Sequence, residues 1–326
     1  MSWFMLALIC VCGWGLADLF YKKGTDEDDR YSHLKIAVWV GIVMGVCALA
    51  LLILSMTGTL SLAETDFTLE SLGEGIIKYS PVSLCYIISM VIGYAGLRYL
   101  ELSIVSPVQN ASGALSMVCM IVFFTARGKF GSITDEFSMI EFIGTALIVF
   151  GMIILGFVEQ HLSKGEMEEH DKKYRFGALA LLFPILYCVF DTIGTAADGI
   201  VLDGEHGLGF GEIDVLILYG LTFFVVGIVA YIYMLIRTKK PYNPFAKSER
   251  PKMCAAIAEE FGQVFYVYAM ASNPVIAAPM VASYCIVSVI LSHIFLKEKL
   301  TGGQYASILL VIIGIFLLGI ADGLAA

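Results

Sequence analysis

Long apolar segments recur along the whole chain, separated by short stretches rich in charged residues, Pro or Gly. Each segment has about twenty residues, enough for one α-helix to cross the ~30 Å hydrocarbon core of a bilayer. The pattern predicts ten such spans. They lie at about 2–21, 34–57, 81–99, 103–125, 139–158, 176–197, 213–236, 252–271, 275–296 and 303–321. Ten spans leave only short loops and tails, so we expect no separate soluble domain.

The composition agrees with this pattern. Hydrophobic residues make up 59% of the 326 positions and charged residues 15%, and the mean hydropathy is +0.84. Soluble domains carry about 25% charged residues. The sequence therefore predicts an all-α membrane protein that uses the lipid bilayer as its solvent. The net charge of −9 comes from the loops, so we expect no nucleic-acid partner.

Several classes of chemistry have no signature in the sequence. There is no Walker loop, Rossmann fingerprint, nucleophile elbow or His-Glu-x-x-His motif. The eight cysteines lie in apolar segments without a Cys-x-x-Cys pair, which is typical of small packing residues. We therefore expect no enzyme activity, no cofactor and no metal site.

The basic residues are distributed unequally between the two sides of the predicted membrane. Odd-numbered loops and their flanks carry 17 of the 20 Lys and Arg residues, and the other side carries only Lys78, Arg127 and Lys129. Because cytoplasmic loops are enriched in Lys and Arg, this bias predicts cytoplasmic segments at 159–175 and 237–252. Both termini are then expected outside.

An internal repeat relates the two halves of the chain at a shift of about 172 residues. The matched pairs are Asp18 with Asp191, Tyr94 with Tyr266, Pro107 with Pro279, and Ser116 with Ser288. An odd number of spans in each half inverts the second half relative to the first, as in many transporters. We therefore expect five-helix repeats at 1–158 and 176–326, a charged connector at 159–175, and a binding site between the repeats.

Two adjoining segments near the C-terminus carry a family resemblance. The segment FLKEKLTGGQYASILLVIIGIFLLG (295–319) resembles the last helix-pair signature of EamA-type carriers in the drug/metabolite transporter superfamily. The stretch SNPVIAAPMVASYCIVSVILSHIFL fits the preceding helix of that family. The first repeat departs from the signature, because it has Ala126 and Arg127-Gly128-Lys129 where the second has Glu298.

The resemblance implies a secondary carrier in the inner or plasma membrane. Amino acids or their derivatives are the substrate class that the family analogy favours, with sugars or nucleosides second. A flippase for lipid-linked substrates stays open as a different class. Family members are usually drawn with cytoplasmic termini, opposite to the orientation that the basic residues predict, and we retain the charge-derived orientation.

Ionisable residues inside a span are costly, about 2.5–3.5 kcal/mol at the bilayer centre, so each is a candidate functional group. Glu259 and Glu260 lie inside the eighth span and point about 100° apart, so they do not easily face one cavity. A carboxyl at this depth is suited to proton coupling, or to a neutral hydrogen bond between helices. Glu259 shares a helical face with Gln263 and Tyr266, whose repeat mate is Tyr94. This stripe is suited either to a small polar solute or to helix packing.

A second set of candidates combines carboxylates with aromatic residues. Asp18 follows Trp14, and Asp191 follows Tyr187, by four residues, so each pair shares one helical face. Because the repeats are inverted, we expect the two carboxylates near opposite mouths, where they could act as gates. The alternative is a pair of interfacial polar groups.

A third set lies at the start of the fourth span, where Gln109-Asn110 follows Pro107. A proline leaves backbone carbonyls that side-chain amides or a solute can engage.

Together these features predict a secondary active transporter that moves a small organic metabolite by alternating access, with proton coupling as an option. The expected partners are a small-molecule substrate and the lipid bilayer. A homodimer is compatible with the sequence.

Overall fold

The computed structural model describes residues 1–57, 69–100, 102–131, 137–169 and 182–325, and within these ranges the protein is helical and has no strand. The helices are α1 (Trp3–Gly24), α2 (Ser32–Met56), α3 (Leu69–Gly96), α4 (Leu102–Asn110), α5 (Ser112–Ala126), α6 (Met139–Glu169), α7 (Leu182–Leu202), α8 (Glu212–Thr238), α9 (Arg250–Ser272), α10 (Pro274–Ala282), α11 (Tyr284–Leu291) and α12 (Gly302–Ala325). A 3₁₀ turn, Lys247–Glu249, precedes α9, and a π-helical turn, Ser292–Leu296, follows α11.

Nine helical segments in the described ranges are long and apolar enough to cross a membrane. Their outward faces carry large apolar side chains, such as Val122, Phe150, Val229 and Phe316, that would be unfavourable in water. Nine of the ten predicted spans are therefore recovered. The exception is α9, whose charged residues make it too polar for this criterion, so a tenth span stays a prediction.

Two helices are longer than the hydrophobic pattern predicts. Helix α3 begins at Leu69 instead of 81, because the polar turns with Glu74 and Lys78 are helical and this pair forms a surface ion pair of 3.4 Å. Helix α6 continues to Glu169, so the first part of the predicted connector is helical. The rest of the predicted connector, 170–175, and the first residues of the predicted sixth span, 176–181, lie outside the described residues.

Four helix pairs form the framework: α1 packs against α9, α2 against α8, α3 against α7, and α6 against α12. Glycines allow the helices of these pairs to approach closely, as α2–α8 and α1–α9 illustrate. A Cβ at Gly41 would lie 2.8 Å from the Cα of Gly227 in α8, and a Cβ at Gly13 would lie 3.1 Å from the Cα of Gly262 in α9. Gly41 and Gly45, four residues apart in α2, thus allow α2 and α8 to pack closely.

Two membrane segments are interrupted near their middle. Helices α4 and α5 are separated at Ala111, and helices α10 and α11 at Ser283. Pro107 and Pro279 each lie four residues before the interruption, and proline can neither donate a backbone hydrogen bond nor fit easily against the preceding turn. At the second break, the Ser283 N–H bonds the Met280 carbonyl at 3.1 Å, three residues back instead of four.

Candidate functional site

The interrupted helices border a central cavity of about 60 Å³. Besides the candidate residues from the sequence, it is lined by Tyr21, Tyr86, Met90, Gly93, Leu97, Ser112, Gly113, Thr195, Tyr219, Ala278, Val281, Ala282 and Tyr284. Together, the lining residues come from α1, α3 and the turn that follows it, α4, α5, α7, α8, α9, α10 and α11. The cavity therefore lies where the two halves of the chain meet.

Ten of the eleven candidate residues line this cavity: Trp14, Asp18, Tyr94, Gln109, Asn110, Tyr187, Asp191, Glu259, Gln263 and Tyr266. Glu260 does not. Its carboxyl lies beside Cys47 on α2, at the interface of α2 and α9. The 100° separation between neighbouring helical residues gives the two glutamates different surroundings.

Two aspartates are held by serines of the interrupted helices. Asp18 Oδ2 accepts hydrogen bonds from Ser106 Oγ at 2.8 Å and from Ser288 Oγ at 2.7 Å. Asp191 Oδ2 accepts one from Ser112 Oγ at 2.6 Å. Charge-assisted bonds of this length fix the orientation of a carboxylate.

The expected placement of these aspartates at opposite mouths is wrong. Asp18 and Asp191 line the same cavity. Asp191 lies near the middle of α7, which begins in the described part of the chain at Leu182 and ends at Leu202, and not near a helix end. The two carboxylates share one site instead of guarding two entrances.

Glu259 faces the same cavity from α9, and an aromatic group adjoins it. The Trp14 Nε1–H donates to the backbone carbonyl of Glu259 at 3.1 Å. The Trp14 ring lies 5.0 Å from the Tyr266 ring and 5.6 Å from the Tyr284 ring, nearly perpendicular to the latter. Gly262 makes room for the indole, because a Cβ there would collide with it.

The cavity also contains amide groups whose hydrogen-bonding capacity is unused. Gln109 and Gln263 are 6% and 2% exposed, and their Nε2 atoms have no hydrogen-bond partner. Asn110 is satisfied by its own helix, since its Nδ2 donates to the Ser106 carbonyl at 2.7 Å. A buried donor without an acceptor costs about 1–3 kcal/mol, so the two glutamines could bind a solute oxygen.

One buried carboxylate beside the cavity is absent from the sequence prediction. Asp198 is 0% exposed and accepts a hydrogen bond from the Tyr79 hydroxyl at 2.8 Å. Tyr86, on the cavity wall, contacts the Tyr266 hydroxyl at 2.6 Å and Thr195 at 3.2 Å. The predicted sixth span ended at 197, which assigned Asp198 to an outer loop. The helix in fact extends one further turn, to Leu202. Tyr79, which bonds Asp198, lies before the start of the predicted third span at 81.

Polar contacts tie α1 to α3 at one end of the cavity. Tyr94 donates to the Tyr21 hydroxyl at 3.3 Å, and their rings lie 4.7 Å apart. The Lys22 ammonium donates to the Leu97 and Leu100 carbonyls at 2.8 and 3.0 Å. Within the described ranges, no group of three or more His, Cys, Asp and Glu residues is arranged to hold a metal ion.

Comparisons with known proteins agree with this architecture. A solved structure described as "Crystal structure of protein" has a TM-score of 0.60 to this chain, covers 98% of it and 97% of its own length, and is 11% identical, so the likeness concerns the fold alone. No curated protein matches the sequence. Residues 207–320 match the model of the EamA-like transporter family, and this segment includes the motif at 295–319, which confirms the resemblance. The chain is thus a multi-pass membrane protein whose residues 207–320 match the EamA-like transporter family, which belongs to the drug/metabolite transporter superfamily.

Proposed function

We propose that the protein is a secondary active transporter that moves a small organic metabolite through the central cavity by alternating access. The observation that carries this proposal is the meeting of three carboxylates, Asp18, Asp191 and Glu259, at the interruptions of two helices. Transporter sites are commonly built at discontinuous helices near the bilayer midplane. Ionisable groups at such depth are expensive and therefore favour function over packing.

The proposal includes ten spans in two inverted five-helix repeats. In support, the two interruptions, Ala111 and Ser283, differ by the same 172 positions that relate the matched residues. The four packing pairs also agree with this shift. It converts the pair α1–α9 into the pair α7–α3, and it converts the pairs α2–α8 and α6–α12 into themselves. Two halves with equivalent contacts can exchange conformations, which is the basis of alternating access in repeat transporters.

We assign proton coupling to Glu259 and not to Glu260. Glu259 lines the cavity with both aspartates, so a proton and a solute could affect one another there through charge. Glu260 lies next to Cys47, away from the cavity, and this makes it a matched control with the same chemistry on the same helix. Glu→Gln keeps the side-chain volume and resembles the protonated acid.

The test uses a solute selected by thermal stabilisation of the purified protein, and then proteoliposomes with an imposed pH gradient. Glu259→Gln should reduce gradient-driven accumulation of the solute at least ~10-fold, which corresponds to a loss of about 1.4 kcal/mol of driving force. The variant should still exchange labelled for unlabelled solute. Exchange persists because it needs no net proton release.

The control, Glu260→Gln, should accumulate solute as the wild type does. Equal accumulation by wild type and Glu259→Gln would remove Glu259 from coupling. If the wild-type protein neither accumulates nor exchanges any stabilising solute, the transporter proposal itself is refuted.

A further inference from the structure

The charges on the cavity wall are all of one sign. Among the described residues that line it, Asp18, Asp191 and Glu259 are acidic, and none is Lys, Arg or His. One basic side chain contacts the cavity wall from outside: the Lys22 ammonium donates a hydrogen bond to the carbonyl of Leu97. Its ammonium is engaged by that carbonyl, by Leu100 and by Glu27 at 3.9 Å. The described residues of the cavity wall therefore include three carboxylates that can bind a cation and no basic side chain that could bind an anion.

Several carboxylates in one poorly hydrated cavity repel one another, and each loses hydration. The serine hydroxyls on Asp18 and Asp191 offset part of the desolvation but supply no opposite charge. A positively charged solute supplies that charge. Desolvated pairs attract more strongly than exposed ones, so an ammonium gains more here than on the protein surface.

The aromatic wall favours the same kind of ligand. Trp14, Tyr266 and Tyr284 surround the part of the cavity near Glu259, with ring centroids 5.0 and 5.6 Å from the indole. Aromatic faces attract ammonium groups, with Trp the strongest, and cages of such rings are a known means of recognising them. The rings and the carboxylates are therefore complementary to one chemical group.

The glutamines add a second requirement. The buried Nε2 atoms of Gln109 and Gln263 each need an acceptor, which an ammonium group cannot provide. An oxygen on the solute would satisfy them. The cavity volume of about 60 Å³ is suited to a small solute.

We propose, resting on the transporter function above, that the substrate class is a small organic ammonium ion that also carries a hydrogen-bond-accepting oxygen. Asp18, Asp191 and Glu259 attract its charge, the rings of Trp14 and Tyr266 contact the same ammonium group, and the amides of Gln109 and Gln263 bind its oxygen. A solute with net positive charge is preferred over a zwitterion, a neutral molecule or an anion of the same size.

The test compares two-carbon solutes that differ mainly in charge: ethanolamine, glycine, ethylene glycol and glycolate. Binding to the purified full chain is measured at constant ionic strength as the shift in the midpoint of thermal unfolding and converted to affinity. Ethanolamine should bind about tenfold more tightly than ethylene glycol and glycine, and glycolate should be weakest. Ethylammonium, which lacks the hydroxyl, should bind less tightly than ethanolamine.

Asp191→Asn should weaken ethanolamine binding about tenfold and leave ethylene glycol unaffected, since the amide retains an oxygen for Ser112 but loses the charge. Glu260→Gln, outside the cavity, should bind ethanolamine like the wild type. Glycine or glycolate binding as tightly as ethanolamine, or no ethanolamine-specific stabilisation, overturns the substrate class. In that case transport of another solute in proteoliposomes would leave the transporter function standing, whereas no transport of any solute would refute the function as well.

Discussion

At the scale of single residues, Asp203 shows how one ionised side chain can join two loops. It accepts a hydrogen bond from Lys129, in the α5–α6 loop, and its Oδ1 accepts the His206 N–H at 2.7 Å. Burial by itself would raise the pKa of Asp203, but the bond and charge of Lys129 and the backbone N–H groups outweigh burial and lower it. The folded protein therefore holds the ionised form better than the unfolded chain does.

Because the pKa of Asp203 is lowered in the folded state, its contribution to stability is present above the ordinary pKa of ~3.9 and is lost as the pH falls through the lower, folded value. We expect Asp203→Asn to lower stability at neutral pH by up to about 1 kcal/mol, the scale of a partly exposed ion pair. Unfolding midpoints of wild type and variant, measured over falling pH, should converge below about pH 4. The exposed neighbour Glu205→Gln is the control and should show no such difference; a gap that is independent of pH would contradict the ion-pair explanation.

The residues of the site were predictable to different degrees for physical reasons. Glu259 was identifiable because a carboxyl in an apolar segment is costly, and helical geometry alone separated it from Glu260. Asp198 was not identifiable, because its cost is offset by a tertiary hydrogen bond from Tyr79, 119 positions away in sequence. Local sequence contains no signal for such a partner.

At the scale of elements, close helix packing gives the sharpest stability test. Gly41 faces Gly227, and a Cβ at position 41 would lie 2.7 Å from the Phe223 carbonyl oxygen, which is backbone and cannot move aside easily. Gly41→Ala should therefore destabilise the protein by about 1–3 kcal/mol through overpacking. Thermal unfolding in detergent provides the measurement.

Gly156 offers the matched control for the same substitution. It also lies within a membrane helix, α6, but a Cβ there would meet no atom within 4 Å. Gly156→Ala should be neutral or stabilise by up to about 1 kcal/mol, because alanine is the better helix former. Equal effects of the two substitutions would show that the α2–α8 contact is looser than the structure has it.

Hydropathy predicted most helices because a segment in lipid must have apolar side chains and must also satisfy its backbone hydrogen bonds internally, as a helix does. It did not predict the interruptions at Ala111 and Ser283, since both fall within apolar runs that read as continuous. The prolines were visible, but whether a proline bends a helix or ends it depends on neighbouring helices. The breaks matter most for the site, and they are the feature that the apolar pattern conceals.

At the scale of the whole molecule, the basic residues predict which end faces the cytoplasm. The structure places Arg98 beside the α1–α2 loop, where its Nη2 donates to the Glu27 carbonyl at 2.8 Å, and Lys22 adjoins the same loop. The opposite end has Lys129 bound to Asp203, so its charge is largely compensated. Under the positive-inside rule, we expect the end with Lys22 and Arg98 to be cytoplasmic and the termini to lie outside.

Single-cysteine labelling in a background without the eight native cysteines tests this orientation. Ser248 is exposed at the basic end and Glu205 is exposed at the other. In intact cells, Ser248→Cys should react only with a membrane-permeant maleimide, and Glu205→Cys should react with an impermeant one, because the bilayer blocks the charged reagent from one side. Thiol-reactive labelling after lysis confirms that both positions are reactive. The reverse pattern would place the termini in the cytoplasm, as the family resemblance implies, and would mean that the 17-to-3 distribution of basic residues does not set the topology of this chain.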